Sequence, residues 1–209
     1  MRLSSSDAPR TLAPRRDLEA LAWVAEQYAV RFDQLGALLE GSPHAAYRVG
    51  ARLHAAGLAT SAHVLAGEPA WLIPTAKGLR ACGSSFRPWQ PRLGRLAHVG
   101  AVTDVRLHVQ ARAPESTWVC ERTLACQRAA REHLVDAVVL VDGYDVAIEV
   151  ELTAKRRRHT EAIVEELAGR FDAVVYFCAP APRRLLGALQ ASGRWPTLQV
   201  RELPRRVGA

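Results

Sequence analysis

Residues 133–158 read HLVDAVVLVDGYDVAIEVELTAKRRR, and the fold of the second half of the chain turns on them. Val135–Val141 is a strongly apolar run, which predicts a buried strand. Asp142-Gly143 predicts a tight turn. Val146–Leu152 predicts a second strand with alternating character. Side chains two apart share a face of a strand, so Glu149 and Glu151 point together while Ile148, Val150 and Leu152 point the other way. Two carboxylates on one face of an apolar strand are costly unless paired, solvated or bound to a cation. The hairpin also brings Asp136, at the start of the first strand, to the end of the sheet where the two glutamates lie. Three oxygen ligands with room for water suit Mg²⁺ or Mn²⁺. Such an ion can hold a scissile phosphate and activate water. Asp136, Glu149 and Glu151 are therefore candidate metal ligands. With Lys155, placed to neutralise developing charge, they form the candidate catalytic set. In the competing reading, Glu149 and Glu151 are ion-paired to Arg156, Arg157 and Arg158 or to arginines of the first helix. His133 lies three residues before Asp136 and is a candidate helper there.

Around this hairpin the pattern alternates. A helix is expected from Leu93 to Ala111, apolar on several faces, with Asp104 and His108 one turn apart as a core pair. Strand Thr117–Glu121 and a short helix Leu124–Arg131 precede the hairpin. Helix Arg156–Gly169, strand Ala173–Cys178, helix Pro182–Ala191 and strand Leu198–Glu202 follow it. That order predicts a mixed sheet with helices on its faces. Three arginines at the start of the helix after the hairpin oppose its dipole, so either nearby carboxylates or phosphate are expected to compensate them.

The first half reads differently. Residues 1–16 are expected to be a flexible basic tail. Asp17 is the expected cap of a helix to Tyr28, and a second helix runs from Phe32 to Leu39. Ser42-Pro43 starts a third helix that ends at Gly57. Ala46, Val49, Leu53 and Ala56 form its buried stripe, while His44, Tyr47, Arg48 and Arg52 lie on the other side. Strands Leu58–Leu65 and Ala70–Ile73 form a hairpin, and Pro74-Thr75-Ala76-Lys77-Gly78-Leu79 opens a closing helix. Three helices, a hairpin and a closing helix make a winged helix-turn-helix, and RLHAAGLATSAHVLAGEPAWLIPTAKGL resembles many such domains. Its third helix fits a major groove. Ser42, His44, Tyr47, Arg48, Arg52 and Lys77 are the candidate DNA-binding residues of this half, and Arg156, Arg157 and Arg158 those of the second. Residues 84–95, rich in Pro, Arg and Trp, are expected to link a 17–83 domain to a 96–209 domain.

Composition bounds the rest. The 209 residues carry 28 basic and 21 acidic side chains, net +7. Residues 1–95 hold twelve basic against seven acidic residues, an excess of five, so most of the charge that would favour a polyanion sits in the first half. Only Lys77 and Lys155 are lysines, an imbalance that fits a GC-rich coding sequence of the actinobacterial kind. The four cysteines form no CxxC pair, which argues against structural zinc and a disulfide framework. No apolar run is long enough to span a bilayer, and the first sixteen residues lack the apolar core of a secretory signal, so a cytoplasmic location with no membrane partner is expected.

The segment around Asp136, Glu149 and Glu151 resembles the PD-(D/E)XK nuclease fold, whose core runs α-β-β-β-α-β. Val135-Asp136 stands where that fold has P-D, and Glu149-Val150-Glu151 where it has E-x-K. Glu151 occupies the lysine position, and Lys155 lies four residues downstream. The whole layout resembles the replication-relaxation family of bacterial plasmids and integrative elements. The carrying stretches are the winged-helix segment, LAHVGAVTDVRL, VDAVVLV, VAIEVELTAK and FDAVVYFCAP. The resemblance implies an α/β protein with an N-terminal winged helix and a restriction-endonuclease-like mixed sheet. It implies binding of double-stranded DNA in plasmid replication or mobilisation, with replication or conjugative-transfer proteins as partners. The expectation is a DNA-binding protein whose nuclease-like half is inactive or divergent. Two alternatives stay open: a Mg²⁺- or Mn²⁺-dependent endonuclease or nickase, and a transcriptional regulator or protein-docking module.

Overall fold

The computed structural model describes residues 13–64, 66–127 and 132–205. Residues 1–12 of the tail expected over 1–16 and the end of the expected helix, 128–131, lie outside them, while Arg15 and Arg16 of that expected tail belong to the first helix. Among the described residues the chain forms eight helices and two sheets, one of three strands and one of five.

The first sheet and its helices comprise α1 (Arg15–Glu26), β1 (Val30–Arg31), α2 (Phe32–Leu38), α3 (Pro43–Ala55), β2 (Ala59–Ala62), β3 (Trp71–Pro74) and α4 (Ala76–Ala81). The strand order is β1-β3-β2, antiparallel throughout. Leu21, Val24, Leu35, Val49, Leu53 and Leu72 meet in one buried cluster, each helix contributing its apolar stripe. The stripe expected on α3 is the buried one, with Ala46, Val49 and Leu53 at most 5% exposed. Two expectations change. Pro14, not Asp17, is the N-cap of α1, and Asp17 is buried inside the first turn. A third strand, β1, pairs with β3 through Val30 and Leu72.

The Thr75–Gly78 segment shows why its residues are there. Thr75 Oγ1 accepts the Gly78 N–H at 3.0 Å, capping α4, and donates to Gly57 O at 2.8 Å. A Cβ at Gly78 would sit 1.8 Å from Leu58 O, so only glycine lets α4 reach the start of the hairpin.

The second sheet holds β4 (Thr117–Cys120), β5 (Ala137–Val141), β6 (Tyr144–Glu151), β7 (Ala173–Cys178) and β8 (Leu198–Glu202), in that spatial order. The β4-β5-β6 part is antiparallel and the β6-β7-β8 part parallel, so the mixed sheet read from the sequence is present. Its helices are α5 (Leu93–Arg112), α6 (Glu121–Gln127), α7 (Arg157–Ala168) and α8 (Pro180–Ala191). Asp142 and Gly143 both have positive φ, 51° and 81°, in the tight turn between β5 and β6. Ile148 and Val150 pack with Val105 of α5 on one face, while Ala147 and Tyr176 pack with Val164 of α7 and Leu186 of α8 on the other.

Helix α5 serves both sheets. Leu96 and Val99 belong to a cluster with Trp71 and Ile73, and Val105 to one with Trp118 and Ile148. A Cβ at Gly100 would lie 2.7 Å from Arg31 Nη1 and 3.2 Å from the Trp71 ring, so a glycine permits this crossing. Asp104 accepts from Arg31 Nη2 at 3.2 Å and from Gln34 Nε2 at 2.7 Å. It does not pair with His108, whose Nδ1 lies 2.7 Å from Arg112. The partner of Asp104 comes from the first sheet because the helix face that carries it is turned there. Trp23 Nε1 donates to Gln110, Arg106 pairs with Glu26 at 2.6 Å, and Arg122 donates to Ala25 O, all across the same seam. Within 84–95, Trp89 packs 5.5 Å from Tyr28.

Candidate carboxylate site and basic helix face

The β5–β6 register pairs Ala137 with Ile148. One step further along the same ladder sets Asp136 opposite Glu149, and Glu151 follows two residues on, on the same face. The backbone confirms the closeness: Val150 N–H donates to Asp136 Oδ2 at 2.8 Å. Asp136, Glu149 and Glu151 are thus brought to one end of the sheet.

Each carboxylate already has a basic partner. Asp136 Oδ1 lies 2.8 Å from His98 Nε2, Glu149 Oε1 lies 3.0 Å from His133 Nε2, and Glu151 Oε2 lies 2.5 Å from Lys155 Nζ. Burial pushes the Glu149 carboxyl up to about 7, against the pull of the His133 hydrogen bond. The hydrogen bond that His133 donates to Glu149 raises the imidazole above its ordinary range despite its burial. Burial would lower His98, but the hydrogen bond and charge of Asp136 outweigh it and raise the group. Tyr176, paired with Glu149 in the β6–β7 ladder, is raised by burial and then by the nearby carboxylates. Cys178, opposite Glu151, is pushed up to about 12 mainly by burial.

The fit to a divalent cation follows from these donors. Hard carboxylate oxygens are the right chemistry for Mg²⁺ or Mn²⁺. Both Asp136 oxygens are engaged, and one oxygen of each glutamate holds a base. Among the described residues no group of three or more His, Cys, Asp or Glu side chains is arranged to hold a metal ion. In this arrangement each of the three carboxylates is held by a base. They form three acid–base pairs instead. The cleft beside His98 and Asp136, lined also by Gln27, Tyr28 and Glu121, is about 20 Å³, room for one water.

The pairing differs from the sequence reading in three places. His133 serves Glu149 rather than Asp136. His98, which lies within the helix expected over Leu93–Ala111, is the partner of Asp136. Glu149 and Glu151 are not compensated by Arg156, Arg157 or Arg158: Arg157 pairs with Glu161 at 2.8 Å, one turn along α7. The intervening strand end turns those three side chains to the exposed surface. Among the described residues neither Arg156 nor Arg158 forms an ion pair.

The basic face of the first half lies on α3. His44, Tyr47, Arg48 and Arg52 are all exposed there, and Ser42 is its extended N-cap, with no hydrogen bond from its side chain to the helix. Tyr47 stacks on Phe32 at 4.6 Å with nearly parallel rings, which holds it upright on the surface. Arg48 has no ion-pair partner among the described residues. Arg52 has one: its Nε and Nη2 donate to both oxygens of the buried Asp17 at 2.7 and 2.8 Å. Lys77 Nζ donates to Ala56 O at 2.7 Å, tying α4 to the C-terminal end of α3. Charge pattern alone could not reveal those two contacts, because both depend on how α1 and α4 flank α3.

Comparisons with protein-family models, curated proteins and solved structures return no match to this chain. No helix among the described residues is long and apolar enough to cross a membrane.

Proposed function

We propose that this chain is a DNA-binding protein in which a winged helix-turn-helix formed by α1–α4 lays α3 into the major groove of double-stranded DNA. The carrying observation is the two-sided character of α3: Ala46, Val49 and Leu53 are buried, while His44, Tyr47 and Arg48 are exposed and Arg48 has no ion pair. The net +7 charge supports the same reading. The five-stranded sheet with α5, α7 and α8 is read as a PD-(D/E)XK-like module, divergent at its acid site, that adds backbone contacts through Arg156 and Arg158. In the replication-relaxation reading, the protein acts in replication or mobilisation of a plasmid or integrative element beside replication or transfer proteins. Fluorescence anisotropy with a labelled duplex tests it. Binding should fall steeply as salt rises, and Arg48→Ala should weaken it and flatten the salt slope by about one. Unchanged affinity in Arg48→Ala would remove the proposal.

A second reading, a metal-dependent endonuclease or nickase, is favoured by one contact: Lys155 reaches back from four residues downstream to Glu151, beside the other acids. Incubating supercoiled plasmid with the protein and Mg²⁺ or Mn²⁺ separates the two. Nicking that Asp136→Ala abolishes would support it. No nicking, or nicking equal in Asp136→Ala, would exclude it.

A further inference from the structure

β8 is the outer strand of the five-stranded sheet, and its two faces differ. Leu198 is buried and Val200 half-buried in the cluster that holds Leu186 and Leu189 of α8. Gln199 and Arg201, which alternate with them, are exposed. The opposite face of the sheet is the one on which Val105 of α5 packs, against Ile148 and Phe177. Between the last turns of α5 and strands β7 and β8 lies an open groove of about 530 Å³. That volume falls in the range of small-molecule sites, ~300–1,000 Å³. The ladder sets Val175 beside Gln199 and Phe177 beside Arg201, so apolar side chains of β7 lie next to polar ones of β8.

Charge narrows what the groove accepts. Arg112 and Arg201 both line it and both are exposed. Arg112 Nη1 lies 2.7 Å from His108 Nδ1, and Arg201 Nη2 donates to Gln199 Oε1 at 2.8 Å. Among the described residues neither guanidinium forms an ion pair. Glu202, the acid of the lining, is paired with Arg183. Arginine can only donate, so His108 Nδ1 accepts and the ring proton sits on Nε2. Burial, then the charge of Arg112, lower the His108 imidazole, so it is neutral and adds no cation of its own. Its ring meets Phe177 edge-on at 6.0 Å. The groove thus joins two uncompensated guanidinium groups to an apolar floor. We propose that it binds a small organic anion, whose carboxylate or phosphate head meets Arg112 and Arg201 and whose apolar body lies on Val175 and Phe177. A DNA backbone offers the head but no apolar body for that floor. Ten residues of α5, about 15 Å, separate His108 from His98 and the acid pairs.

Naphthoate is the probe, titrated calorimetrically into the full chain without DNA. Saturable binding is expected. Naphthamide, which keeps the rings without the charge, and acetate, which keeps the head without the rings, should each bind about tenfold more weakly or less. Naphthyl phosphate run beside naphthoate tells which head the groove prefers. Arg112→Gln and Arg201→Gln should each weaken the preferred anion about tenfold. Neither arginine holds a carboxylate, so both variants should keep the parent's melting temperature. Arg80→Gln, which removes an exposed charge on α4, should leave the affinity unchanged. Absence of saturable binding of either anion overturns the proposal, as does equal binding of naphthamide or acetate, or an equal loss in Arg80→Gln. Displacement of the bound anion by a short duplex would assign the two arginines to the phosphate backbone and overturn it as well. The titrations without DNA leave the reading of α3 untouched.

Discussion

Arg31 and Asp104 stand 73 residues apart in the chain, yet Arg31 Nη2 meets the Asp104 carboxylate at 3.2 Å inside the seam between the two sheets. Both are at most 5% exposed. Truncating one partner of such a buried pair leaves the other charge without compensation, at a cost of about 3–5 kcal/mol. Asp104→Ala should therefore lower the denaturation midpoint sharply. Arg31→Met combined with Asp104→Leu should recover much of the loss. Chemical denaturation of the two variants checks this, and additive losses in the double variant would show that the pair is not coupled.

Stability should fall as pH rises from mildly acidic to alkaline. Glu149 titrates at about 7 in the fold against an ordinary 4.5, so the folded state holds its proton more tightly. That contribution is complete below about 4.5 and is lost as pH passes through 7. His98 and His133 are also raised, so their contributions are complete below 6.5 and disappear as pH climbs through their elevated values. All three act in the same direction. Denaturation midpoints at pH 5.5 and 8.5 measure the fall, and Glu149→Gln should flatten it. A midpoint that rises with pH would contradict the assignment.

Arg48 and Arg52 share the exposed face of α3 but should separate in a paired assay. Arg52 holds the buried Asp17, so Arg52→Ala leaves a carboxylate without its donors, at a cost of about 1–3 kcal/mol. Arg48 has no such partner. Arg52→Ala should lower the melting temperature and Arg48→Ala should leave it within the range of ordinary surface changes, about 0.5 kcal/mol. Differential scanning calorimetry of the two single variants distinguishes them.

The start of α4 offers a graded test. Thr75→Val removes the cap on Gly78 and should cost about 1 kcal/mol. Gly78→Ala places a methyl group against the Leu58 carbonyl and should cost clearly more, because the obstacle is backbone. Equal effects of the two substitutions would mean that α4 can shift away from Leu58.

The elements of strong period were legible before any coordinates. Val135–Val141, the Asp142-Gly143 turn and the alternation around Glu149 and Glu151 carry their geometry in a short window, because a strand and a two-residue turn are local objects. The gathering of Asp136 with the two glutamates followed from the same window. What lay outside it was choice of partner. His98 meets Asp136 from 38 residues away, and Arg31 meets Asp104 from further still. Neither has a spacing rule, since each depends on the angle at which α5 lies on both sheets. The two-residue β1 was invisible because Val30–Arg31 is too short to show a period, and its partner Leu72 supplies the pairing. The three arginines after β6 are exposed, and the acids that the competing reading gave them pair with His133 and Lys155 instead. One exposed turn separates them, and Lys155 is the residue that folds back.

Helix α5 carries one further consequence. Leu96 and Val99 are committed to Trp71 and Ile73, and Val105 to Trp118 and Ile148, along the same twenty-residue rod. A cut anywhere between residues 84 and 112 strips apolar surface from whichever fragment loses the rod. The two sheets are therefore poor candidates for independent expression or for grafting onto other proteins, and any disturbance that tilts α5 reaches the three-stranded sheet and the acid pairs at once.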